Sequence, residues 1–94
     1  MRVLAVDPGA TTVGMALYNG DDFPFSSWQE PPSSALERAR LEATEGLDAI
    51  VCERYVVTYG RRTGEGVKTT HMIGSLMEVA RAHGAAFVLQ KPAD

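Results

Sequence analysis

The chain has 94 residues, which is one domain at most, and its hydrophobic content of 45% excludes a disordered or fibrous protein. The formal net charge of -3 argues mildly against a nucleic-acid partner. However, residues 1–53 carry three basic and nine acidic side chains, whereas residues 54–94 carry six basic and three acidic ones. A local basic patch can bind an anion whatever the total charge. No stretch reaches membrane-spanning length, and we expect a cytoplasmic protein without a membrane partner.

The first 28 residues predict three strands. Residues 2–6 form an apolar run that is typical of a strand buried on both faces, and the turn sequence Asp7-Pro8-Gly9 ends it. Residues 12–18 are rich in β-branched and apolar side chains, and they predict a second strand in an antiparallel hairpin with the first. Residues 23–28 predict a third strand. Pro24 confines it to a sheet edge, because proline has no backbone N–H to donate.

A helix and a fourth strand are predicted next. Ser34, with Glu37 three residues later, matches a capping box at a helix N-terminus, and Gly46 is expected to end the helix. Its predicted apolar stripe consists of Leu36, Ala39 and Ala43. Residues 49–52 predict a buried strand. Cys52, the only cysteine, lies in this strand and is expected to be a buried, inert thiol.

The last third of the chain predicts a loop, a helix and a strand. Residues 58–66 hold three glycines and two arginines and predict the loop. A helix is predicted from about residue 68 to 83, where Gly74 would allow a close approach to the sheet and Gly84 would end the helix. Its predicted core stripe is Ile73, Leu76, Met77 and Ala80. A fifth strand over residues 85–89 completes the order β-β-β-α-β-α-β, which predicts an α/β fold with a mixed sheet.

Two acidic residues each directly follow an apolar strand. Asp7 follows the first strand and Glu53 follows the fourth. If these strands are parallel neighbours, both carboxylates lie at one end of the sheet, where they repel each other or share a cation such as Mg²⁺ or Mn²⁺. Each acid also has a simpler explanation. Asp7 could hydrogen-bond the turn backbone, and Glu53 could pair with Arg54 or Arg81.

Basic and aromatic residues follow Glu53 closely. They are Arg54, Tyr55, Tyr59, Arg61, Arg62 and Lys68. Such groups beside a carboxylate site suit a phosphodiester backbone, and we expect Arg54, Tyr59, Arg61, Arg62 and Lys68 to contact DNA. A solvated loop is the alternative interpretation. The glycines of this segment match neither a P-loop nor a dinucleotide fingerprint, so no nucleotide cofactor is expected.

The motifs resemble those of RuvC-type Holliday junction resolvases of the ribonuclease H-like superfamily. An apolar strand ending in Asp7-Pro8-Gly9, followed by Gly14, is similar to the first hairpin of that family. The segment that ends in Glu53 is similar to the family's fourth strand, and the helix around Gly74 resembles its glycine-containing helix. Gln90-Lys91-Pro92-Ala93 is similar to the segment after its fifth strand. The resemblance spans nearly the whole chain and is greatest to the compact resolvases of bacteriophages.

The resemblance implies a structure-selective endonuclease that cuts branched DNA, including Holliday junctions, as a homodimer and leaves 5′-phosphates. It implies that Asp7 and Glu53 are catalytic metal ligands for two Mg²⁺ ions. The family completes this site with one or two acids on a C-terminal helix, and Asp94 does not correspond to them. We therefore expect residues 1–94 to be an incomplete nuclease domain, truncated before that helix, and to cleave weakly or not at all.

Three other functions stay open. The first hairpin, with Thr11 and Thr12, is also compatible with a nucleotide-binding domain of the actin and sugar-kinase type, although such proteins are far longer. A non-catalytic module that binds branched DNA would keep the fold and the basic loop without needing a metal. A related RuvC-like fold that acts in ribosomal RNA processing shares the first hairpin.

Overall fold

The computed structural model describes residues 1–9, 11–53 and 64–90, with the side chains of residues 64–69 not included. The elements are β1 (Val3–Asp7), β2 (Val13–Tyr18), β3 (Ser26–Glu30), α1 (Pro32–Gly46), β4 (Ala49–Glu53), α2 (Gly64–Ala82) and β5 (Ala86–Gln90). The strands form one sheet in the order β3-β2-β1-β4-β5. The predicted α/β fold, its element order and the edge position of β3 are confirmed.

Both antiparallel and parallel pairing occur in this sheet. β1 pairs antiparallel with β2, which pairs antiparallel with β3. β1 also pairs parallel with β4, which pairs parallel with β5. Because β1, β4 and β5 run parallel to one another, their carboxyl ends lie at the same end of the sheet.

The two helices pack on one face of the sheet, which we call the helical face. One core cluster joins both helices to every second residue of the inner strands. Its members are Leu4, Val6, Val13, Met15, Leu17, Ala35, Ala39, Ala43, Leu47, Ile50, Cys52, Leu76, Val79 and Ala80. Since side chains alternate along a strand, the remaining residues form the opposite, open face. β1 was predicted to be buried on both faces, but Val3 and Ala5 on the open face are only half-buried.

Two predictions for the first half need correction. β3 begins at Ser26 and not at residue 23, because the turn is longer than predicted and the Phe25 N–H donates to the Leu17 carbonyl just before the strand. Phe23 is 82% exposed, so it is not part of the core. α1 begins at Pro32 without a side-chain cap, and the Ser34 hydroxyl donates to the Pro31 carbonyl instead of forming a capping box. Proline suits this first helical position because its missing N–H has no partner there in any helix.

The second helix also differs from its prediction. α2 begins at Gly64, so residues 64–66 are helical and not part of the predicted loop, whose other residues lie outside the described part. Met77 is 46% exposed, and Val79 takes its place in the core. Gly74 does not approach the sheet, because a Cβ built on it would meet no atom within 4 Å. Across the described residues, neither helix combines the length and hydrophobicity that crossing a bilayer requires.

Replacing Gly74 with alanine is expected to stabilise the protein by about 0.5–1 kcal/mol, because alanine restricts the unfolded chain and has free space in the helix. Urea unfolding followed by circular dichroism measures the change. Gly84→Ala is the matched control: Gly84 has a φ of +71°, so the same substitution there should destabilise. Equal effects of the two substitutions would contradict this description of α2.

A buried carboxylate holds α1 against the sheet. Glu42 is 5% exposed, and its Oε2 lies 2.7 Å from Arg2 Nη2, at the start of β1. Arg38 Nε lies 3.7 Å from Glu42 Oε1, while the Arg38 guanidinium carbon lies 4.7 Å from the centre of the Trp28 ring. Arg2 also donates to the main-chain carbonyls of Glu42 and Gly46. Arg2 therefore caps the C-terminus of α1, which has no basic residue in its own last turn.

Glu42→Gln is expected to lower the free energy of unfolding by about 1–3 kcal/mol, because it removes the buried negative charge that faces both Arg2 and Arg38 and leaves Arg2 only its longer pair with Glu45. Glu37→Gln is the control. Glu37 pairs with Arg40 at 2.8 Å on the exposed face of the same helix, where such a pair contributes under about 1 kcal/mol. Chemical denaturation of both variants makes the comparison. A loss at Glu42 no larger than at Glu37 would show that the buried pair has no special role.

Candidate functional site

Asp7 and Glu53 lie side by side at one end of the sheet. The parallel register of β1 and β4 runs from Val3–Ala49 to Val6–Cys52, so Asp7 and Glu53 are the next residues on each strand. Val6 and Cys52 face the helices, which turns both acidic side chains to the open face. Neighbouring strands lie about 4.8 Å apart, so the two carboxylates are within reach of a common cation. Both residues are exposed.

The two carboxylates lie in a groove of about 440 Å³ on the open face. The groove is lined by Ala5, Val6, Asp7, Gly14, Met15, Ala16, Ser27, Trp28, Gln29, Val51, Glu53 and Gln90. Small apolar residues and polar residues both contribute to this lining. Among the described residues, neither carboxylate has a hydrogen bond or an ion pair. Arg81, one suggested partner of Glu53, lies 4.0 Å from Glu78 instead, and Arg54 is outside the described residues.

The negative charges of Asp7 and Glu53 also act on the thiol of Cys52. Cys52 is fully buried, and its burial raises its pKa from the usual 9.0 to about 11, with smaller contributions from the negative charges of Asp7 and Glu53. A thiol with this pKa is almost entirely protonated at neutral pH and is a poor nucleophile. The prediction that Cys52 is buried is confirmed, and the raised pKa agrees with an inert thiol.

The basic part of the predicted site lies largely outside the described residues. This holds for Arg54, Tyr59, Arg61 and Arg62. Lys68 belongs to α2, in the stretch whose side chains are not described. Their contact with DNA therefore stays a prediction.

Sequence reasoning missed the polar residues beside the carboxylates. Gln29 on β3 pairs with Gly14, which pairs with Asp7, while Gln90 on β5 pairs with Glu53. No motif marks Gln29, and Gln90 belongs to a segment that resembles the family without any site role being predicted for it. The strand register brings both glutamines to the site. Gly14 was noted as part of the first hairpin. A Cβ at this position would lie 3.5 Å from the Asp7 Cβ, so glycine leaves the space above Asp7 open.

The carboxylates of Asp7 and Glu53 fit one hard divalent cation. Mg²⁺ commonly binds one or two carboxylates, with water and substrate phosphate oxygens completing its coordination. Two adjacent, exposed carboxylates without a protein cation partner among the described residues match that donor set for one ion. In the described ranges, no cluster of three or more His, Cys, Asp or Glu side chains is placed to hold a metal. The second ion that the family resemblance implies needs further oxygen ligands.

Comparison with known proteins gives structural neighbours only, since no family model and no curated protein matches the sequence. Thermus thermophilus RuvC in complex with a Holliday junction aligns with 98% of the chain at a TM-score of 0.68 and 17% identity. Fowlpox virus resolvase in complex with Holliday junction DNA aligns with 100% of it at a TM-score of 0.71 and 15% identity. The chain has the ribonuclease H-like fold. YeaZ from Pseudomonas aeruginosa also aligns, over 97% of the chain, with a TM-score of 0.64 and 19% identity.

The chain is shorter than each of these neighbours. It spans 66% of the RuvC chain, 62% of the fowlpox resolvase and 45% of YeaZ. At these identities the similarity establishes the ribonuclease H-like fold alone. Neighbours with this fold include YeaZ as well as the two resolvases. The function therefore depends on the residues of the site and not on the fold.

Proposed function

We propose that this chain is a metal-dependent, structure-selective DNA endonuclease that acts on Holliday junctions or other branched DNA. The observation that carries the proposal is the adjacency of Asp7 and Glu53 on the open face, at the carboxyl ends of two parallel strands. Two resolvases in complex with Holliday junction DNA share the fold and support this substrate class. The phage-like origin and the homodimer implied by the resemblance are part of the same proposal.

Asp7 and Glu53 would hold Mg²⁺ or Mn²⁺ together with an oxygen of the scissile phosphate. A bound ion of this kind supplies Lewis acidity and lowers the pKa of a bound water. The side chains themselves fix the position of the cation relative to the groove. The small residues Ala5, Ala16 and Val51 leave room for the sugar-phosphate backbone above the sheet.

The basic residues after β4 would supply affinity for the DNA. Arg54, Arg61, Arg62 and Lys68 follow Glu53 in the sequence. Each phosphate contact made by such a residue displaces counterions, which makes the affinity depend on salt. Tyr59 would add a polar or stacking contact. These positions offset the repulsion between the acidic pair and the DNA backbone.

A direct test compares four-way junction, flap and duplex DNA with the 94-residue chain. We expect the junction to bind more tightly than the duplex in chelator. We also expect added Mn²⁺ or Mg²⁺ to tighten junction binding and to produce weak cleavage, because the described carboxylates suffice for one ion. No preference for branched DNA, with no effect of metal, would overturn the proposal. Measurable ATP affinity would point to the nucleotide-binding alternative.

A further inference from the structure

Five residues in register form one row across the open face, which we call the polar row: Gln29, Gly14, Asp7, Glu53 and Gln90. Cα pairing joins Gln29 to Gly14, Gly14 to Asp7 and Glu53 to Gln90. The parallel register of β1 and β4 places Asp7 beside Glu53. Trp28 fixes the orientation of β3, because its ring packs under Arg38 on the helical face and so turns Gln29 to the open face. The row thus crosses the whole sheet and has a carboxamide at each end.

The two carboxamides are the only glutamines in the chain, and both are exposed and line the groove. A carboxamide offers two N–H donors without a charge. Beside a pair of carboxylates it therefore neither neutralises them nor competes with a cation that they hold. Phosphate oxygens are acceptors, and glutamine is among the side chains that contact them in protein–DNA complexes.

The dimensions of the polar row match a strand of DNA. Its four strand-to-strand steps span roughly 19 Å at about 4.8 Å each. At a rise of about 3.4 Å per nucleotide, this length accommodates several nucleotides of one DNA strand. Gly14 lies between Gln29 and Asp7 and adds no side chain to this path.

We propose that Gln29 and Gln90 hold the phosphodiester backbone of one DNA strand on the two sides of the Asp7–Glu53 pair, so that this strand lies along the polar row. The inference rests on the proposed nuclease function and adds the path of the substrate. Gln90 lies beside Glu53, so it contacts the phosphate nearer to the reacting bond. Gln29 contacts one farther away, on the other side.

The test measures the affinity of a four-way junction in chelator for Gln29→Ala, Gln90→Ala and the double variant. We expect each single substitution to raise Kd about threefold to tenfold and the two effects to multiply. The slope of log Kd against log salt should stay unchanged, because a carboxamide neutralises no phosphate. Asn19→Ala is the matched control: Asn19 is the only other carboxamide and precedes the turn at the opposite end of β2.

A scan with single methylphosphonate substitutions in the junction assigns the contacts. For each glutamine variant, one methylphosphonate position should cause no further loss of junction affinity. The two positions should lie on opposite sides of the cleavage site. Effects no larger than that of Asn19→Ala, or the same position for both glutamines, would overturn the strand path while leaving the nuclease intact. Weaker Mn²⁺ binding by Gln90→Ala without DNA, with unchanged DNA affinity, would instead make Gln90 a metal ligand. Failure of the wild-type chain to bind junctions would overturn both proposals.

Discussion

Asp7→Asn should abolish the weak metal-dependent cleavage of branched DNA that we expect of the wild-type chain, and should spare binding in chelator. Asparagine has nearly the shape of aspartate but lacks the charge that attracts a divalent cation. It also removes repulsion between the groove and the phosphates, so metal-free junction affinity should stay equal or rise a few-fold. Cleavage in Mn²⁺, and junction binding with and without metal, are the measurements. Glu53→Gln should behave in the same way, because Glu53 shares the site with Asp7.

Asp22→Asn is the charge-matched control. Asp22 is exposed in the turn between β2 and β3, at the end of the sheet opposite Asp7. It should leave both cleavage and the effect of metal unchanged. If Asp7→Asn likewise alters neither activity nor metal uptake, the chain is a non-catalytic binding module.

Leu76→Ala is expected to lower the free energy of unfolding by about 3–4 kcal/mol, the largest loss among the substitutions proposed for this protein. Leu76 is fully buried in the core cluster between α2 and the sheet, and truncation there removes buried apolar contacts and leaves a cavity. A domain of this length has a free energy of unfolding of roughly 5–14 kcal/mol, so the loss is a large share of it. Thermal unfolding should show a drop in Tm of about 12–25 °C.

Leu41→Ala makes the same chemical change on the solvent side of α1, where Leu41 is 54% exposed. Its effect should stay within about 0.5 kcal/mol, since little apolar surface is removed from contact. Urea denaturation of the two variants compares them under identical conditions. Similar losses at both positions would mean that α2 does not depend on Leu76 for its attachment to the sheet.

Local sequence signals predicted most of the fold. Apolar runs marked β1 and β4, and the turn sequence Asp7-Pro8-Gly9 placed the end of the first strand within one residue of where β1 ends. Gly46 and Gly84 both adopt positive φ, as expected for residues that end helices. Weak local signals gave wrong starting residues for two elements, β3 and α2. β3 is mostly polar and is held by backbone pairing with β2, and the glycines at the start of α2 are poor helix formers.

The placement of two acids after apolar strands was readable from the sequence, because a strand and its last residue are local features. That Asp7 and Glu53 are neighbours followed only when β1 and β4 paired in parallel, across more than 40 residues. The same holds for the glutamines of the polar row and for Arg2, which caps a helix whose end is 44 residues away. The sequence by itself determined the elements, their order and the two candidate ligands. Tertiary structure alone decided which side chains meet, because strand register and helix packing depend on the contacts of the whole chain.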